Sequence, residues 1–195
     1  MLPQHAKILI VGAGPTGLAL AVTLQQAGVD YLLVDRLAAG LNTSRAAVIH
    51  AHTLEMLEPL GVVDELGKRG RKLDHFSVRD GDRALLRLTF DRLPTRFNHI
   101  LMIPQQETEA VLADRLASLG GRVHRGVSAL SVREAGAGFD VRLESADGEH
   151  VVRADYVVGG DGMHSVVREG AGIDFEGGSY AGSFVLADVT MNWKT

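Results

Sequence analysis

The stretch Ile8-Leu9-Ile10-Val11-Gly12-Ala13-Gly14-Pro15-Thr16-Gly17-Leu18-Ala19-Leu20-Ala21-Val22 decides the fold. Residues 8–11 form a continuous apolar run, as expected of a parallel strand covered on both faces. A glycine-rich turn interrupts the run. The segment after it, residues 18–27, is apolar almost all round, which predicts a helix buried between layers. Gly28 suits the C-terminal cap of that helix, where a left-handed backbone costs glycine little. Residues 31–34, Tyr-Leu-Leu-Val, read as a second buried strand that ends at Asp35. Strand, glycine turn, helix and strand make a βαβ unit whose crossover is expected to be right-handed.

The turn carries chemistry as well as shape. Gly12 permits a tight turn, Gly14 lets a diphosphate approach the backbone, and Gly17 lets the helix pack closely on the strand. Free N–H groups at the helix start, together with its dipole, favour phosphate. Pro15 and Thr16 belong to the same candidate site, and so does Arg36, next to Asp35. Asp35 lies eighteen positions after Gly17, near the ~20 expected of the acid that holds a ribose hydroxyl pair. A glycine turn that binds nothing is the bland alternative, and the two strands and Asp35 argue against it. The turn does not say which dinucleotide is bound. The charge of Asp35 disfavours a 2′-phosphate, and therefore NADP, in this site.

Further along, residues 42–51 read as a loop with some helix, and residues 53–60 as a short helix stopped near Pro59 and Gly61. Residues 76–90 turn to strands around Asp80-Gly81, a hairpin signal. Residues 99–103 read as another strand. Pro104 stands where a helix begins and Gly120-Gly121 where it stops, with Leu112, Leu116 and Leu119 as an apolar stripe at helical spacing. Residues 127–133, 139–144 and 150–153 alternate as an antiparallel meander with one wet face: Phe139, Val141 and Leu143 face one way, Asp140, Arg142 and Glu144 the other. Residues 156–158 read as a return to a buried strand running into Gly159-Gly160-Asp161-Gly162, and residues 183–193 as one strand of an unfinished sheet.

Composition excludes several classes of function. The chain of 195 residues is 46% apolar and 23% charged, as in an ordinary globular protein. A formal net charge of -4 argues against nucleic-acid binding, which needs a basic surface. The basic cluster Lys68-Arg69-Gly70-Arg71-Lys72 is read as a solvated loop. With no cysteine there is neither a disulfide nor a thiolate nucleophile. No apolar run is long enough to span a bilayer, and the first residues lack a signal-peptide pattern, so the expectation is a cytoplasmic protein without a membrane partner. His50 and His52 invite a metal reading, but no third ligand accompanies them. Neither a Gly-x-Ser-x-Gly elbow nor a Gly-Lys-Ser/Thr phosphate loop is present.

Three further stretches carry a resemblance. They are Ser44-Arg45-Ala46 followed by His50-Ala51-His52-Thr53-Leu54-Glu55; Pro104-Gln105-Gln106-Glu107; and Asp155-Tyr156-Val157-Val158-Gly159-Gly160-Asp161-Gly162-Met163-His164-Ser165-Val166-Val167-Arg168. In this order, after the glycine turn, they resemble the FAD-dependent aromatic-ring hydroxylases, flavoprotein monooxygenases of the p-hydroxybenzoate hydroxylase type. The resemblance implies FAD as cofactor, with Arg45 on its flavin side, Gln105 at the ribityl chain, and Asp161 near the pyrophosphate in a segment also implicated in NAD(P)H use. Val127 completes the set of cofactor-binding candidates. It further implies a reaction in which NAD(P)H, FAD and O₂ hydroxylate a small aromatic or polyketide-like substrate. No catalytic base and no oligomeric state is assigned.

Read without the resemblance, Arg45 is an arginine of a surface loop, Asp161-Gly162 a turn capping the next helix, and Gln105 a solvated first-turn residue. The family's third fingerprint, Gly-Asp-Ala-Ala-His or close to it, is not found in these 195 residues. The expected architecture is therefore α/β: a Rossmann-like FAD-binding domain over residues 1–73 and 101–173, with a parallel sheet and an antiparallel meander. Part of a strand-rich substrate domain is expected at 74–100 and 174–195. The chain is expected to be the amino-terminal part of such a protein, a truncation or fragment whose own hold on FAD is left open. Rival readings are a non-catalytic nucleotide-binding or interaction module, a flavin-dependent reductase or halogenase of the same fold, and an NAD dehydrogenase.

Overall fold

The computed structural model describes residues 2–40, 48–178 and 182. In chain order its elements are β1 (His5–Val11), α1 (Pro15–Gln26), β2 (Tyr31–Asp35), β3 (Val48–Ile49), α2 (Ala51–Leu57), α3 (Val63–Arg69), β4 (Arg71–Leu73), β5 (His75–Asp80) and β6 (Arg83–Thr89). They continue with β7 (Ile100–Met102), α4 (Gln105–Ser118), β8 (His124–Arg125), β9 (Ser128–Ala135), β10 (Gly138–Ser145), β11 (Gly148–Gly159) and α5 (Val166–Gly170).

The main sheet has the order β8-β2-β1-β11-β10-β9. Its first four strands run parallel and its last three form the antiparallel meander, with β11 shared between them. Two segments that the sequence separates, 150–153 and 156–158, are thus one strand. Its first half pairs with β10 down to the Phe139–Ala154 register, and it pairs with β1 from Arg153 to Gly159.

Residues 156–158 are not a buried strand among the described residues: Tyr156 is 63% exposed, because β10 stops pairing at Ala154 and leaves that edge open. The basic cluster is not a loop either. Lys68 and Arg69 close α3, where positive charge suits the helix C-terminus, and Arg71 and Lys72 lie on β4, paired with β7. The strand expected over 183–193 falls outside the described residues.

Alternation along β1 sends Ile10 to one face of the sheet and Leu9 and Val11 to the other. Ile10 joins Leu18, Val22, Leu33, Leu54, Leu66, Leu101, Leu112 and Leu116 beneath the helices. Leu9 and Val11 join Leu32 and Val34 of β2 and Val132, Val141, Leu143 and Val152 of the meander. Both faces of β1 are dry, which is why its sequence is continuously apolar. The meander keeps its wet face, where Arg142 pairs with Glu149 at 2.6 Å and Arg153 with Asp140 at 3.1 Å. The hairpin β5–β6 forms a sheet of its own, and every one of its strand residues is exposed.

Candidate functional site

The carboxyl ends of β1, β2, β8 and β11 open on a cleft of about 400 Å³. Open α/β sheets bind ligands at this end of their strands, where neighbouring connections leave in opposite directions. Of the residues singled out in the sequence, Gly12, Gly14, Pro15, Thr16, Asp35, Arg36, Gln105, Val127 and Asp161 line it. Gly17 lies just beneath. Arg45 is outside the described residues.

The three glycines of the turn have separate physical tasks. Gly12 has φ 100°, and a Cβ there would collide with the Gly160 carbonyl. The two glycine turns therefore pack backbone against backbone, tied by the Gly160 N–H donating to the Val11 carbonyl at 2.7 Å, while the Gly12 N–H donates to the Val34 carbonyl of β2 at 2.8 Å. Gly17 packs on the Gly12 carbonyl with no room for a side chain. Gly14 is different: a Cβ there meets nothing within 4 Å, because it would point into the cleft. Gly14 is the N-cap of α1 and supplies no side-chain cap, and the first turn holds no acidic residue. Proline at the first helical position has no N–H to lose, and the N–H groups of Thr16 and Gly17 have no carbonyl four residues back within the helix. The helix start thus presents uncapped donors and roughly half a positive charge to the cleft.

Asp35, at the end of β2, turns its carboxylate into the cleft. One oxygen accepts the Ala13 N–H at 2.6 Å, the other the Leu37 N–H at 2.8 Å, and the Arg125 guanidinium stands 3.7 Å away. A carboxylate offers about four acceptor sites, so two remain for a ligand's hydroxyls. Val127 is buried beside it, its N–H donating to the Asp35 carbonyl at 2.9 Å. Arg36 is exposed at the rim.

Gln105 and Glu109 of α4 also line the cleft, joined by a 2.8 Å hydrogen bond from the Gln105 Nε2. Asp161 lines the cleft while accepting the Ser165 hydroxyl at 2.6 Å and the Val167 N–H at 3.3 Å. The turn-and-cap reading of Asp161 and its place at the cleft are both true of the same carboxylate. Lining residues missed in the sequence include Arg125, Glu109 and His164, whose side chains are charged or titratable. The first two had a signal. Arg125 lies two residues before Val127, and Glu109 lies one helical turn after Gln105. Among the described residues no group of three histidine, aspartate or glutamate side chains is placed to hold a metal, and no helix is long and apolar enough to cross a membrane.

The FAD binding domain family matches residues 5–194. The uncharacterized aromatic compound monooxygenase YhjG of Bacillus subtilis is 36% identical over 188 residues, which are 95% of this chain and 37% of that protein. The 6-methylpretetramide 4-monooxygenase of Streptomyces rimosus is also 36% identical over 188 residues, covering 95% of this chain and 34% of its own. Among solved structures, the anhydrotetracycline hydroxylase from Streptomyces rimosus superposes with a TM-score of 0.80 at 34% identity, over 90% of this chain and 35% of that one. The chain spans about a third of the length of these relatives. Matched by one family almost from end to end, and folded around an open glycine turn with a carboxylate beside it, the chain belongs to the FAD binding domain family.

Proposed function

We propose that this chain is the FAD-binding part of a monooxygenase that uses NAD(P)H and O₂ to hydroxylate a small aromatic or polyketide-like substrate. One observation carries the reading: the open space at Gly14, facing an uncapped helix start with Asp35 at one end of the same cleft. An adenosine diphosphate moiety needs those features. Gly14, Thr16 and Gly17 would donate to its phosphates, with Gly12 and Pro15 shaping the turn. Asp35 would accept from the ribose hydroxyls. Arg36 and Val127 would flank the adenosine end, Gln105 the ribityl chain, Arg45 the flavin side, and Asp161 the pyrophosphate.

Bound flavin supplies oxidation–reduction chemistry, so the protein's residues are needed for position, electrostatics and exclusion of water. That fits a cleft lined by backbone donors and carboxylates. In the same reading, residues 1–73 and 101–173 hold the cofactor, while 74–100 and 174–195 belong to a substrate-facing unit. The exposed hairpin β5–β6, which makes a sheet separate from the main one, supports that division. The setting is cytoplasmic, where nicotinamide cofactors are regenerated.

The test is spectroscopic. The intact protein containing this chain is expected to purify yellow and to bleach with NADH or NADPH under nitrogen, faster when the right phenol is present. Bleaching without oxygen insertion into any ring, or a halide-dependent product, would replace hydroxylation with one of the rival flavin chemistries. A colourless protein that takes up no FAD would leave the interaction-module reading.

A further inference from the structure

Glu109 is a carboxylate buried to 9% exposure in the wall of the cleft, on the fifth residue of α4. Burying a carboxylate is costly unless something is gained from it. Among the described residues, it accepts one hydrogen bond, from the Gln105 carboxamide one helical turn before it, at 2.8 Å. An ionised carboxylate only accepts hydrogen bonds, so the Gln105 side chain can meet it only through its NH₂ group. The carboxamide oxygen is then left as the acceptor that Gln105 offers elsewhere. An unrestrained glutamine presents either end of its amide. Beside Glu109 it presents one.

We propose that Glu109 is a positioning residue that fixes the Gln105 amide with its oxygen free, so that the site selects a ligand hydroxyl, a donor, at this point. The class of ligand follows: a polyhydroxylated chain next to the diphosphate, as in the ribityl portion of FAD. This rests on the reading that the cleft holds FAD. It adds that the orientation of the Gln105 amide is set by Glu109. The backbone of residue 40 crosses close to the carboxylate: a Cβ on Gly40 would lie 3.0 Å from the Glu109 Oε2. Glu109 is therefore held between α4 and the segment after β2.

The test compares two ligands on one protein. Dissociation constants for FAD and for ADP are measured by titration on the wild-type chain and on Glu109→Leu, Gln105→Ala and the double variant, with thermal melts of each. Glu109→Leu is expected to weaken FAD about tenfold, the loss of one oriented hydrogen bond near charge, and to leave ADP unchanged. In the Gln105→Ala background the same substitution is expected to change FAD affinity no further. Glu109→Gln, which restores an acceptor of the same shape, is expected to recover part of the loss. The inference is overturned if Glu109→Leu weakens ADP and FAD alike, leaves FAD untouched, or adds its full effect on top of Gln105→Ala. Wild-type chain that binds ADP but not FAD would overturn it too, while wild-type chain that binds neither would overturn the FAD reading beneath it.

Discussion

A methyl group added at Gly14 meets no atom within 4 Å, whereas one added at Gly17 lands on the Gly12 carbonyl. Two glycines three residues apart therefore predict opposite failures. Gly17→Ala is expected to destabilise the fold by about 3 kcal/mol, the cost of forcing atoms into a filled site, and to appear as a lower Tm. Gly14→Ala is expected to leave Tm unchanged and to weaken FAD by about 2 kcal/mol, because the methyl occupies the place of the phosphates. Asp35 mixes both effects. Since it accepts the Ala13 and Leu37 N–H groups as well as facing the cleft, Asp35→Ala is expected to lower Tm and to weaken FAD by about 1–3 kcal/mol. Calorimetry and FAD titration on the same samples separate the two. The glycine roles were legible in the sequence because a fixed turn demands them. The second duty of Asp35 was not, since a backbone donor at Ala13 becomes visible only when the turn is folded.

At the scale of elements, β8 is a two-residue strand that pairs with the end of β2, next to Asp35. Its His124 has a pKa held below the ordinary 6.5, first by burial and then by Arg122. A histidine with a depressed folded pKa binds its proton in the unfolded chain first. Its contribution is present above pH 6.5 and is lost as pH falls below it. Stability is thus expected to drop as pH falls below 6.5, and His124→Gln to flatten part of that drop in melts taken across a pH series. His99, also shifted down by burial and by Lys72, accounts for a further part. Helices α1 and α4 and the meander were legible from glycine and proline signals, apolar spacing and alternation, whereas α3 was not, its basic last turn reading as a loop. The continuity of β11 was not, because its two halves face different neighbours: one half alternates beside a wet sheet face, and the other follows the apolar pattern of β1. The pairing partner, which lies far away in sequence, decides between one strand and two.

Over the whole molecule, stability is unevenly distributed. The six-stranded sheet has dry packing on both faces of β1, while the hairpin β5–β6 buries none of its residues. Amide hydrogen exchange is expected to be fast across residues 75–89 and slow across β1, β2 and the middle of β11. Equal protection in the hairpin would mean that another surface covers it. The central claim, that the cleft at the carboxyl ends of the parallel strands holds the adenosine diphosphate half of FAD, is tested most directly by calorimetric titration of this chain with FAD, with and without saturating ADP. The prediction is one FAD per chain, displaced competitively by ADP, with both ligands weakened together in Gly14→Ala. FAD binding that ADP does not compete with, or that survives Gly14→Ala undiminished, would contradict it.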